Sequence, residues 1–424
     1  MKILNNRSAI EEHQLERLGP MFRQVLATNE FYRRKLSNNG ISGIDTLEEL
    51  KRLPFTAKSE LIEDQLGHPP FGTDLSFSPE KYIRVHQTSG TTGKPMYWLD
   101  TEESWDWWAE CWKTIFQAAG VRSDDRIYFA FSFGPFIGFW SGWEGARKIG
   151  ALAVSGGGQS TAQRIKAILD CGATVLVSTP TYALHMASEA RKAGIDLARG
   201  SSVRIAIHAG EPGASIPSTK KMIEEAWGVK CFDHPGATEV GAYGFECESR
   251  PGGVHLNERE FIAEVIDPAT GEAVEEGERG ELVITNLGRI GSPVIRYRTG
   301  DLIEPNYEPC PCGRRFMRLQ GGVLGRVDDM IVVRGVNVFP AAIENVMREF
   351  PEIEEFRVDA VQRQSLVELR LKLEPVPGHA APLGLAERVV RKFRESIGLR
   401  PEVEIVAAGT LPRFELKAKR FFKS

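Results

Sequence analysis

TVLVSTPTYALHMASEARKAGIDLARGSSVRIAIH (174–208) begins and ends on a short β-rich run and carries a helical stretch between them. The same alternation extends on both sides. The runs IYFAF (127–131), ALAV (151–154), TVLVST (174–179), VRIAIH (203–208) and KCFDH (230–234) are separated by helical stretches, with glycine-rich turns at the changeovers. Within 161–170, for example, Ile165, Ile168 and Leu169 fall on one helix face at i, i+3 and i+4. Strands that alternate with helices predict a parallel sheet covered by helices, so 126–241 decides for an α/β fold.

Further along the chain the texture changes. FIAEVID (261–267), GELVITN (280–286) and PVIRYRTGDL (293–302), joined by the turn-rich PATGEAVEEGERG (268–280), predict an antiparallel β subdomain. Beyond Arg326 come MIVVRGVNVFP (330–340), a helix from Ala341, strands near EFRVDAV (355–361) and VELRLKL (367–373), the helix LAERVVRKFRESIG (385–398) and the strand EVEIV (402–406). These make a compact α+β unit of small-domain size. The expected division is a large N-terminal domain over 1–325, a boundary at 326–329 and a small C-terminal domain over 330–424. There are no internal repeats or low-complexity tracts.

The 424 residues are 42% hydrophobic and 26% charged, enough for more than one core. Fifty-three basic and 57 acidic side chains, a net charge of -4, are spread along the chain. That distribution lacks the electrostatic footprint of a nucleic-acid or anionic-membrane binder and points to small-molecule partners. MKILNNRSAIEEHQLERL at the N-terminus has no apolar h-region and reads as an amphipathic helix, so a cytoplasmic location is expected. The uncharged IYFAFSFGPFIGFWSGW (127–143) is interrupted by Gly134, Pro135, Gly138 and Gly142, which makes it a buried strand, a turn and a helix start rather than a membrane span.

HQTSGTTGKP (86–95) is a phosphate-type loop with an unusual spacing. Only two residues separate its glycines before the lysine, so it is not G-x-x-x-x-G-K-[ST] and not a P-loop NTPase. Gly90 and Gly93 let the backbone turn N–H groups toward an anion, Ser89, Thr91 and Thr92 add hydroxyl donors, and Lys94 adds a mobile charge. A flexible cap of this kind suits a leaving pyrophosphate.

SGTTGKP (89–95), HAGEPG (208–213), DHPGATE (233–239), YRTGDL (297–302), GRVDDMIVVRGVNVFP (325–340) and LPRFELKAKRF (411–421) occur in one order along the chain. In that order and approximate spacing the chain resembles the adenylate-forming superfamily, and within it the phenylacetate–CoA ligase family from end to end. PFTAKSEL, VSGGG, STPTYAL and RGVNVFP are in the same style. The resemblance implies an AMP-forming acid–CoA ligase using ATP, Mg2+ and coenzyme A on an aryl or arylacetic acid. Adenylating relatives that pass the acyl group to an amine, a carrier protein or an internal nucleophile need the same residues for the first half-reaction, whereas Lys417, Glu239 and Asp301 together argue against a non-catalytic nucleotide-binding relative.

Residue by residue, the resemblance implies that Ser89, Gly90, Thr91, Thr92, Gly93 and Lys94 hold the β- and γ-phosphates, with Thr91 taking part in catalysis. Glu239, after Thr238, would help hold Mg2+ as a hard-cation ligand. Asp301 would accept both ribose hydroxyls, and Gly210, Glu211, Pro212 and Asp233 would border adenine. Arg326 would reach ribose and phosphate. Lys417 looks like the family's adenylation lysine, bridging the acyl carboxylate and the α-phosphate. Asp328 matches the hinge, and Gly335 the tunnel for pantetheine, where a Cβ would not fit. Two positions depart from the pattern: Leu416 stands where relatives usually have glycine, and Pro235 where they commonly have an aromatic residue stacked on adenine. The family's tendency to pair makes a homodimer an expectation.

Cys310-Pro311-Cys312 with the upstream pair Cys247 and His255 would give three thiolates and an imidazole, a closed set suited to structural zinc. Spacing alone leaves unlinked reduced cysteines equally open, and the resembled family supplies the zinc reading. Cys111 and Cys171 are expected on helices as core residues. Trp105, Trp108 and Trp112 lie at i, i+3 and i+7 on a helix that Asp100 and Glu103 could cap, and are expected in the core. Phe131, Phe133 and Phe136 fall where the resembled family borders its acyl pocket, together with Gly236. An aromatic wall there suits a flat, apolar acid.

Overall fold

Five strands run parallel in the order Leu152–Ser155, Arg126–Phe129, Val175–Ser178, Ile205–His208 and Lys230–Asp233. Val175–Ser178 and Ile205–His208 are buried at every position, as strands covered on both faces by helices must be. The edge strand exposes Leu152 at 60%. The computed structural model from which this is read describes residues 4–36, 40–88, 95–334, 336–363, 366–376, 383–414 and 418–423.

The covering helices start and stop on recognisable signals. Ser160 and Gln163 form a capping box on Thr161–Asp170, and Ile165 and Ile168 are buried as the periodicity predicts. Thr179 caps Pro180–Lys192, with proline in the first turn, where a missing N–H costs nothing. Gly150 and Gly228 end Ile137–Ile149 and Pro217–Trp227 in the left-handed conformation that favours glycine.

Helix Glu102–Ala118 buries Trp105, Trp108 and Trp112, as expected. Its cap is different. Thr101 accepts from Ser104 N–H at 3.2 Å, whereas Asp100 is fully buried in an ion pair with Arg289 and Glu103 is exposed. Thr101 is better placed because it is the last residue of the strand Tyr97–Thr101 and directly precedes the first turn. Cys111 is buried on this helix, and Cys171, at the C-terminal cap of Thr161–Asp170, is half-buried and packs against the core.

Two antiparallel sheets follow. One runs Phe261–Ile266, Gly280–Asn286, Tyr297–Ile303 and Gly325–Arg326, and its last pairing sets Asp301 opposite Arg326. The other joins Pro305–Asn306, Arg318–Gln320, Gly253–Leu256 and Gly244–Phe245. In the last hundred residues Glu402–Ile405, Leu366–Pro375, Ile353–Arg363 and Phe421–Lys423 form a mixed sheet. Phe421–Lys423 adds to it as a parallel strand along Ile353–Arg363. Among the described residues the apolar clusters of the large part run as far as Leu319, with Val323 packed against them, and a separate cluster begins at Ile331. Among the described residues no helix is long and apolar enough to cross a membrane.

Candidate active site

Asp233 ends the last parallel strand, and the chain then turns through Ala237-Thr238-Glu239, closed by paired hydrogen bonds between Ala237 and Gly241. Glu239 is buried, and its Oε1 lies 2.7 Å from Lys58 Nζ. Lys58 is brought there by docking of Thr56 on the strand Tyr297–Ile303. Thr56 N–H donates to Arg296 O, and Thr56 O accepts from Arg298 N–H, both at 2.9 Å.

The turn is held from behind. Arg289 Nη1 donates to Thr238 O at 2.5 Å and to Glu239 O at 3.3 Å, while Nε and Nη2 grip Asp100 at 2.8 and 2.6 Å. Both side chains are fully buried, and the guanidinium lies 5.1 and 5.3 Å from the Trp98 and Trp108 rings. Desolvating such a pair costs several kcal/mol per ion, roughly, and is offset only when the geometry is excellent and the remaining donors are satisfied. Here the bidentate grip and the two carbonyls meet that condition.

Asp301 sits on a neighbouring strand. Its Oδ2 accepts from Tyr243 Oη at 2.7 Å, and Arg326 Nη1 lies 3.4 Å from its Oδ1. Arg326 also donates to Thr299 O at 3.1 Å and to the exposed Asp328 at 3.0 Å. Gly300, at φ +74°, leaves room for this guanidinium, since a Cβ would stand 2.6 Å from Nη2.

Asp233 is tied to the hairpin beyond it. Its N–H donates to Glu246 Oε2 at 2.9 Å, Glu246 Oε1 accepts from Gly252 N–H at 2.9 Å, and Lys220 Nζ lies 2.7 Å from that oxygen. Burial first, then the Glu246 charge, pushes the Asp233 carboxyl up to about 7. His234 is also buried, which lowers its imidazole to about 4. Its Nδ1 lies 2.7 Å from Gly244 O, and its ring meets Trp112 edge-on at 4.5 Å.

Gly210 turns the chain at φ +94° after the strand Ile205–His208. Pro212 is exposed. The Glu211 carboxylate accepts from Thr181 N–H at 2.9 Å and from Ala418 N–H at 2.7 Å. Phe131 is buried in the core, Phe133 is half-buried, and Phe136 is 39% exposed at the cap of Ile137–Ile149. Phe133 packs against Phe131, Trp140 and Trp143 at 5.4, 4.7 and 5.6 Å. Gly236 lies close to Gly241 O, 3.1 Å from where a Cβ would stand. The predicted Ser89, Gly90, Thr91, Thr92, Gly93, Lys94, Gly335, Leu416 and Lys417 lie outside the described residues.

Cys247, His255, Cys310 and Cys312 converge, with all four ligand atoms within 4.8 Å of one another. Cys247 Sγ lies 3.7 Å from Cys310 Sγ and 3.5 Å from His255 Nε2, which is 3.5 Å from Cys312 Sγ. Zinc bonds of about 2.3 Å to sulfur and about 2.0 Å to nitrogen give tetrahedral edges of about 3.8 Å for S···S and about 3.5 Å for S···N. The donor set fits that ion.

Lys58, Tyr243, Glu246 and Arg289 escape a sequence reading. Lys58 falls within PFTAKSEL but far from the other motifs, and a lone buried arginine leaves no periodic signal.

Fold and site together define a two-domain adenylate-forming enzyme. Residues 29–288 match the AMP-binding enzyme family and 335–424 the AMP-binding enzyme C-terminal domain. The chain is 34% identical to the phenylacetate-coenzyme A ligase of Thermus thermophilus over 96% of this chain and 95% of that one, and 32% identical to that of Pseudomonas putida over 97% and 93%. A 2-hydroxyisobutyryl-CoA ligase in its postadenylation state, bound to 2-HIB-AMP, superposes with a TM-score of 0.91 at 29% identity, covering 98% of this chain and 89% of that one. The same ligase in its thioesterification state, with 2-HIB-AMP and CoA, gives 0.74 at 30% identity over 99% and 90%. This chain belongs to the AMP-binding enzymes and, within them, to the phenylacetate–CoA ligase family.

Proposed function

We propose that this chain activates an aryl or arylacetic acid and joins it to coenzyme A. As a family member it adenylates an acid with ATP and transfers the acyl group to CoA. An acid oxygen attacks the α-phosphorus as the α–β bond breaks and pyrophosphate leaves. The CoA sulfur then attacks the acyl carbon, gives up its proton to solvent and expels AMP.

The observation that carries this reading is the pairing of Glu239 with Lys58 and of Asp301 with Tyr243 and Arg326, together with the contact of Ala418 on Glu211. Asp301 would bind the ribose diol, with Tyr243 and Arg326 fixing its orientation. Asp233 and the backbone of Gly210, Glu211 and Pro212 would flank adenine, and Thr91 and its neighbours would hold the leaving phosphates. Lys417 would place positive charge between carboxylate and α-phosphate as negative charge builds. Asp328 would be the hinge and Gly335 would line the pantetheine tunnel. Magnesium, held by Glu239, would supply charge neutralisation on the phosphate oxygens. The aromatic packing of Phe131 against Phe133 supports a flat acyl group, and Phe136 and Gly236 would complete the pocket.

The Cys3His cluster would hold one structural zinc that clips the hairpin carrying Glu246, with no ligand position left open for chemistry. The use of ATP and CoA favours a cytoplasmic enzyme. The test is acid-dependent pyrophosphate release across a panel of aryl, arylacetic and short branched acids, with and without CoA, with products identified by mass. Aryl-CoA thioesters are the expected products, and a preference for branched aliphatic acids would overturn the substrate class. Metal analysis should find about one zinc per chain, and a metal-free, fully stable protein would remove the zinc site.

A further inference from the structure

The tail of the small domain meets the large one through polar contacts on both sides of Glu211. One carboxylate oxygen accepts from Ala418 N–H at 2.7 Å and the other from Thr181 N–H at 2.9 Å. Thr181 is the second residue of Pro180–Lys192, so the carboxylate also caps a helix N-terminus, where negative charge is favoured. Thr181 Oγ1 lies 3.3 Å from Arg420 Nη1, and Arg420 is held in the small domain by Glu355 at 2.6 and 3.1 Å. Ala418 directly follows Lys417 in the chain. Along the same seam Ser188 Oγ donates to Glu354 at 2.6 Å and Ser218 Oγ to Asn345 O at 2.9 Å.

A carboxylate whose two oxygens accept from backbone N–H groups of different domains is fully satisfied in one arrangement of those domains. That arrangement is independently marked, because the chain superposes far better on a relative's postadenylation state than on the thioesterification state of the same relative. We propose that Glu211 is a positioning residue for the first half-reaction, holding the chain at Ala418 so that Lys417 is presented for adenylation and letting go for thioester formation. The proposal rests on the reading of Lys417 as the adenylation lysine. Its chemistry is separate from a contact with adenine, because both Glu211 oxygens are taken by main-chain donors.

The test measures the half-reactions separately in the full-length enzyme. Glu211→Gln and Glu211→Ala should lower the kcat of acid-dependent pyrophosphate release about 10-fold or more, shift the ATP KM less than about 3-fold, and keep thioester formation from supplied acyl-AMP within about 2-fold. A raised ATP KM with unchanged kcat would make Glu211 a nucleotide contact, and equal losses in both half-reactions would make its role structural; either overturns the proposal. Lys417→Ala is measured alongside. Adenylation surviving in Lys417→Ala would bring down the underlying reading, whereas its loss there and survival in both Glu211 variants would bring down the proposal alone. Should the Glu211 variants fail to fold by thermal melting, the double variant Ser188→Ala/Ser218→Ala should still show the same one-sided loss, and equal rates in both half-reactions would overturn the idea.

Discussion

Asp233 shows how much a single side chain can carry in this site. Its carboxyl is pushed from an ordinary value near 3.8 to about 7, chiefly by burial and then by Glu246, against the pull of Lys220. Because the folded value is raised, the unfolded chain releases this proton first, and between pH 4 and pH 7 the folded state holds more protons. Stability from this group therefore falls as pH rises through that window, by on the order of 4 kcal/mol in total. Asp233→Asn should remove the fall, so that the variant gains on wild type from pH 4 to pH 7. Urea midpoints measured across that range check it, and parallel profiles for the two proteins would show that Asp233 titrates at its ordinary value. The hairpin that carries Cys247 shares in this, since Glu246, next to Cys247, accepts the Asp233 N–H.

At the scale of elements, the Arg289–Asp100 pair joins the strand Tyr97–Thr101 to the turn that carries Glu239. Arg289→Met alone leaves a buried carboxylate without its partner and should cost about 3–5 kcal/mol. The double variant Asp100→Asn/Arg289→Met should recover most of that stability, because no bare charge remains. Adenylation should not recover with it, since the Thr238 and Glu239 carbonyls still lack their donor. Thermal unfolding and pyrophosphate release measured on all three variants decide the matter, and a double variant with wild-type adenylation would confine Arg289 to a structural role. This pair also marks where the sequence stops being readable. The alternation of 126–241 and the turns of 261–302 foretell the sheets because hydrophobic period and turn chemistry are local. Asp301 and Glu239 stand out in the sequence because each sits in a motif of the resembled family, whereas the spacing of Cys247, His255, Cys310 and Cys312 leaves unlinked cysteines equally open and only the fold draws the four side chains together. Lys58 and Arg289 lie 181 and 50 residues from Glu239, the separations being 239 − 58 and 289 − 239, and only the packed fold brings them to it. The cap of Glu102–Ala118 departs from expectation for a related reason: Asp100 has the chemistry of a cap, but a distant arginine claims it.

For the whole molecule, the seam between the domains is polar, which favours motion over permanent docking. Hydrogen bonds of the kind joining Glu211, Thr181, Ser188 and Ser218 to the small domain contribute about 1 kcal/mol net each. A few of them together can hold one arrangement, yet a ligand that binds the other arrangement about 10⁴-fold more tightly can reverse the balance. Coenzyme A is such a ligand if the second half-reaction uses a different pose. Amide hydrogen exchange reports this directly, because Ala418 N–H has a partner across the seam whereas Thr181 N–H has its partner, Glu211, in the same domain. With acyl-AMP bound, both amides should exchange slowly. Adding a CoA analogue that cannot form the thioester should speed exchange at Ala418 by about 10-fold or more while leaving Thr181 protected. Equal protection of Ala418 before and after the analogue would mean that both half-reactions run in the arrangement seen here, and that the polar seam is a fixed joint.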